Sequence, residues 1–191
     1  MLARRAALSA ATALLALAAM GTLTAGAPAA ASTGSAPTIS AAYDAGHHDR
    51  VPRIAQQWAS AWNDADPQKM ASLFTKDGTY EDFAFQGAFH GKEGVAMWVS
   101  LTHQSIRDAK VTVTDAFRTG DRVSIRWVFS GTDTGAFAPD LPSTGKSFAV
   151  PATTVMELRN GRIKRTSDYY NLADVLRQVG LPAGAYTPQG A

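Results

Sequence analysis

The chain contains no cysteine. That excludes a disulfide framework, a thiol nucleophile and a cysteine-ligated metal site. Charge is scarce too. Charged residues make up 18% of the chain, and 18 Lys+Arg stand against 16 Asp+Glu. The surplus is Arg4 and Arg5, at the head of the chain. From residue 32 onward 16 basic residues face 16 acidic ones, a net charge of zero. No basic stripe or lysine run remains, which excludes nucleic acid as a partner. Glycine-rich phosphate loops, nucleophile elbows and metal-ligand spacings are also absent, so no cofactor is expected.

Long apolar runs are lacking beyond the first thirty residues. The one such run, residues 6–20 (AALSAATALLALAAM), follows the arginine pair. It is shorter than the roughly 20 residues a membrane span needs. Ala29-Ala30-Ala31 before Ser32 fits a small-residue cleavage site; Ala25-Gly26-Ala27 also fits, but Pro28 follows it. Residues 1–31 are therefore expected to be a signal peptide. The arginine pair resembles a twin-arginine signal, although Ala6-Ala7-Leu8 departs from the rest of that motif. The mature protein is expected to be secreted or held in the cell envelope, with no membrane contact after cleavage. Residues 32–49 are small and polar without a period, and read as a flexible leader in which His47 and His48 receive no role.

What is present is a chain 46% hydrophobic, enough for a core. Ile54, Trp58, Ala61 and Trp62 recur at helical spacing. Asp66-Pro67 starts a second helix: the carboxylate caps orphan N–H groups, and proline suits the first turn. Lys76-Asp77-Gly78 reads as a turn, and Thr79–Phe85 as a strand. Gly91–Gly94 opens a third helix carrying Val95, Trp98, Val99 and Thr102 on one side. The period then changes to two over Lys110–Phe117 and Arg122–Ser130, joined by the turn Thr119-Gly120-Asp121. Residues 131–146 read as a loop. Ser147–Arg159 and Arg162–Tyr170 form a hairpin about Asn160-Gly161, whose residues both accept φ > 0. Leu172–Val179 closes as a short helix, with Gly180 at its stop and Pro182 beyond. Helices grouped before an antiparallel sheet predict an α+β domain over residues 50–181, followed by a flexible tail, 182–191.

Five segments in this order resemble the SnoaL-like polyketide cyclases, within the nuclear transport factor 2-like and ketosteroid isomerase-like superfamily. They are DGTYEDFAF (77–85), FHGKEGVAMWV (89–99), RWVFSGTDTGAF (126–137), PSTGKSF (142–148) and NGRIKRTSDYYNLADVLRQVG (160–180). The resemblance implies a cone: a curved antiparallel or mixed sheet wrapped around the N-terminal helices. It implies a pocket for a small hydrophobic molecule, cofactor-independent acid/base chemistry on a carbonyl or epoxide compound, and a homodimer. The same fold also hosts binding modules without turnover.

The candidate catalytic residue is Asp168. An aspartate stands at this position, before a tyrosine-rich strand end, in the related limonene epoxide hydrolases. In an apolar pocket its pKa would rise, since desolvation disfavours the charge, and it would serve as acid or base nearer neutrality. Tyr80 and Asp82 lie two apart and share one strand face, and those hydrolases place a tyrosine and an asparagine likewise to hold water. Tyr170 and Asn171 adjoin Asp168. In the cyclases the catalytic aspartate fits position 171; asparagine exchanges no proton but hydrogen-bonds an oxygen. Arg126 matches an arginine frequent in the family, but Val128 stands where the hydrolases' second acid belongs, so their triad is incomplete. Alternation puts Arg126 opposite Val123, Ile125, Trp127 and Phe129 and leaves open which face is inside. His90 before Gly91-Lys92-Glu93-Gly94 is a candidate proton carrier. Asp133 stands where the family usually has histidine. Trp58, Trp62, Trp98 and Trp127 are core residues or an aromatic pocket wall.

Overall fold

A computed structural model describes residues 51–135 and 143–184, which belong to one compact unit. The expected signal peptide and leader, and the tail beyond Gly184, lie outside the described residues. Among the described residues no helix is long and apolar enough to cross a membrane.

Helix α1 (Arg53–Asn63) buries Ala55, Trp58, Ala59, Ala61 and Trp62, the face that helical spacing picks out. Helix α2 (Pro67–Leu73) starts as the sequence predicts: the Asp66 carboxylate accepts from the Lys69 N–H at 2.8 Å. Strand β1 (Phe74–Asp82) then runs straight through the expected Lys76–Gly78 turn. These residues form an irregularity in the strand, where its register with β6 (Arg162–Tyr170) shifts between Phe74 and Thr79. Glycine suits position 78, because a Cβ would crowd the Phe74 ring at 3.0 Å and the Ile163 carbonyl at 3.1 Å. A short strand not foreseen, β2 (Gly87–His90), returns antiparallel to β1. Helix α3 (Gly91–Ser105) follows. Strands β3 (Ile106–Thr119), β4 (Arg122–Asp133) and β5 (Ser147–Arg159) complete the sheet, and α4 (Leu172–Val179) closes the fold with Gly180 in the left-handed region at φ 78°. β4 extends three residues into the expected loop, to Asp133.

The strand order is β2-β1-β6-β5-β4-β3. β1 and β6 are parallel and every other pair is antiparallel, so the sheet is mixed and not closed. Four inter-strand steps separate β1 from β3, about 19 Å on a flat sheet. Yet Asp82 on β1 and Ala109 and Val111 on β3 line one and the same cavity, which a flat sheet would not allow. The sheet therefore curls around α3, with α1 beside it on β3. The fold is α+β, a curved mixed sheet around the N-terminal helices, as expected.

Candidate active site

Period two decides which side chains enter the curl. On β1, Tyr80 and Asp82 point inward; on β6, Thr166, Asp168 and Tyr170; on β5, Ala152, Thr154 and Met156; on β4, Ile125, Trp127 and Phe129. Strand register then brings distant residues together. Asp82 pairs with Asp168 across the parallel β1–β6 ladder, and Thr154 pairs with Asp168 across β5–β6. These inward residues meet α1 and α3 around a cavity of about 370 Å³, a volume that includes the open solvent at its mouth. Its wall holds Asp82, Asp168 and Tyr170, the rings of Trp62, Phe85, Trp98, Trp127 and Phe129, and Thr102, Ala109, Lys110 and Val111.

Asp168 is 3% exposed and receives two hydroxyl donors. Tyr80 Oη donates to Oδ2 at 2.7 Å, and Thr154 Oγ1 donates to Oδ1 at 2.6 Å. Each hydroxyl is itself held by an indole: Trp62 Nε1 donates to Tyr80 Oη at 3.1 Å, and Trp127 Nε1 to Thr154 Oγ1 at 2.9 Å. An indole N–H only donates, so both hydroxyls must direct their single proton at the carboxyl group. The two chains are thus fixed in one polarity.

Burial pushes the Asp168 carboxyl up to about 8, with Asp82 adding to the rise, while Thr154 and Tyr80 oppose it. Asp82 is also raised, chiefly by burial, against hydrogen bonds from the Phe85 N–H (2.8 Å to Oδ1) and Tyr170 Oη (2.9 Å to Oδ2). Burial raises both phenols, Tyr80 and Tyr170, well above their ordinary range; the neighbouring acids, Asp168 for Tyr80 and Asp82 foremost for Tyr170, add to it. Near neutral pH the site therefore holds a proton on a carboxyl that water would strip.

Of the residues picked from sequence, Asp168, Asp82 and Tyr170 line the cavity, and Tyr80 lies behind Asp168 as its donor. His90, Arg126 and Asn171 stand elsewhere. His90 is exposed at the head of α3, its Nδ1 3.3 Å from Thr79 Oγ1. Arg126 is exposed on the outer sheet face, in register with Asp115 and Thr153, because the apolar face of β4 is the inner one. Asn171 is one residue past the inward Tyr170 and caps α4, its Oδ1 accepting from the Asp174 N–H at 3.1 Å. Asp133 is buried but staples a loop: its carboxylate accepts from the N–H groups of Gly135 (2.9 Å) and Thr144 (2.8 Å) and from Thr144 Oγ1 (2.9 Å). Three of the four tryptophans, Trp62, Trp98 and Trp127, form cavity wall, while Trp58 is core packed edge-on against Trp127 at 5.4 Å. Sequence reasoning missed Thr154, although the alternation Ala152, Thr154, Met156 puts a hydroxyl on an otherwise apolar face. Among the described residues no three His, Cys, Asp or Glu side chains are grouped to hold a metal ion.

The comparisons agree with this architecture. A hypothetical protein with a ketosteroid isomerase-like fold from Catenulispora acidiphila DSM 44928, crystallised with trimethylamine, is 38% identical, with a TM-score of 0.63 over 72% of this chain and 99% of that one. TsrD from Streptomyces laurentii is 22% identical, with a TM-score of 0.59 over 68% and 93%. A candidate polyketide cyclase from Pseudomonas putida KT2440 is 21% identical, with a TM-score of 0.58 over 65% and 94%. None of the curated proteins matches the sequence. The family model for SnoaL-like polyketide cyclases matches residues 52–179, and with two thirds of the chain inside that match, the chain belongs to the SnoaL-like polyketide cyclase family.

Proposed function

We propose that this protein catalyses cofactor-independent proton transfer on a small, largely apolar carbonyl compound held in the cavity, with Asp168 as the acid and base. The observation that carries it is a buried carboxyl on a largely aromatic cavity wall, pushed up to about 8 and held by two hydroxyls of fixed polarity. Such a group hands its proton to a guest oxygen and becomes a carboxylate that Tyr80 and Thr154 stabilise. That carboxylate then takes a proton from the carbon beside the carbonyl, giving isomerisation or, with an internal electrophile, ring closure. Asp82 and Tyr170 orient the guest. The trimethylamine bound by the relative from C. acidiphila supports a compact guest. The signal peptide expected over residues 1–31 supports action outside the cytoplasm.

A second reading, binding without turnover, is favoured by Asn171, because the proton-exchanging residue the family offers there is missing. Deuterium exchange beside the carbonyl of small cyclic ketones, followed by NMR, separates the two. Exchange abolished in Asp168→Asn supports catalysis. Exchange that survives this substitution removes Asp168 from the role. Guest-induced melting shifts without any exchange favour the binding module.

A further inference from the structure

We propose that the cavity selects guests carrying a compact alkylammonium centre of the trimethylammonium class, with Asp82 and Asp168 as its counter-charge. The inference rests on the cavity being the guest site, as above, and adds a charge to the guest.

A purely apolar guest accounts for the rings but not for the acids. Five rings follow one another around the wall: Trp98 to Phe85 at 5.8 Å, Phe85 to Tyr170 at 6.3 Å, Tyr170 to Phe129 at 5.4 Å and Phe129 to Trp127 at 5.7 Å. Their planes meet at 69°, 67°, 65° and 55°, so the row bends instead of lying flat. Aromatic faces carry negative charge density, and a compact cation against several of them is attracted electrostatically. Two carboxyl groups adjoin the same row, side by side on neighbouring strands. Burying one acid beside another is unfavourable for an empty or neutral site, because each raises the charging cost of the other. A cation between rings and acids removes that repulsion. Among the described lining residues Lys110 is the sole base, and it is exposed, so its charge is solvated.

Burial holds the Asp168 carboxyl up to about 8, so it keeps a proton at rest, and burial shifts Asp82 in the same direction. Binding of a cation then expels protons. A quaternary ammonium has no proton of its own, so any rise of affinity with pH belongs to the protein.

The test compares choline with 3,3-dimethyl-1-butanol, its neutral isostere, by calorimetry on the full chain at constant ionic strength. Choline is expected to bind at least tenfold tighter at pH 8.5, and its affinity to fall several-fold by pH 6. Trp98→Leu and Asp82→Asn are each expected to weaken choline about tenfold, and by several-fold more than they weaken the alcohol. Equal affinities, or tighter binding of the alcohol, overturn the inference and leave an apolar guest in place. Failure of both to bind also overturns it; if ketone exchange is absent as well, the proposed function falls with it.

Discussion

Two buried aspartates in one sheet have opposite surroundings. Asp133, at the end of β4, accepts two backbone N–H groups and the Thr144 hydroxyl from the loop it ties down. Asp168, on β6, accepts only hydroxyls, and its remaining surroundings are a cavity with aromatic walls. Backbone donors are rigid and stabilise only the charged form, so Asp133 is a staple. Hydroxyl donors fixed by indoles leave part of the Asp168 carboxyl facing the cavity, and burial keeps its proton on. Burial alone does not make an acid functional; the kind of donor and the space in front of it do.

The sharpest way to break this contrast is Asp168→Asn, which keeps the shape. Ketone exchange is expected to fall by about 10²–10⁴-fold, the usual contribution of a positioned acid or base, measured by NMR. The same substitution tests linkage. An acid whose folded pKa is raised to about 8 keeps its proton in the native state while the unfolded chain loses it near 4. The native state then binds more protons between pH 4 and 8, so stability falls with rising pH in that window, by on the order of 1 kcal/mol per pH unit. Urea titrations are expected to show that slope flattened in Asp168→Asn.

Asp133→Ala should do the reverse: a loss of about 2–4 kcal/mol, because buried loop donors are left unpaired, with guest affinity unchanged. Tyr80→Phe sits between the two. It removes one donor to the Asp168 carboxylate, so the pKa rises and the high-pH loss of activity moves to higher pH, read from a pH–rate profile. It also orphans the Trp62 N–H, for about 1–3 kcal/mol of stability. The smallest effect is Asn171→Ala, about 1 kcal/mol from the lost α4 cap, with exchange unaffected. A large drop in activity there would make Asn171 part of the site after all.

Much of the fold was legible because its signals are local. The Asp66-Pro67 start, the Asn160-Gly161 turn and the alternation from Val123 to Phe129 depend on neighbours a few residues away. The Lys76–Gly78 misreading has the same origin: the three residues carry turn chemistry, but pairing with β6 holds them extended around a bulge. At the site, Asp168, Asp82, Tyr80 and Tyr170 were legible through period two and family resemblance. Asn171 was not, since a single residue step past an inward position turns a side chain away.

By itself the sequence determined the elements, the strand faces and the stock of acids, phenols and indoles. It could not decide which of them meet. Thr154 and Tyr80 reach one carboxyl from strands 74 residues apart, and only the curl of the sheet and the parallel β1–β6 pairing set that distance. The pKa of Asp168 was likewise settled by tertiary structure, because desolvation is a property of the surrounding wall and not of the residue.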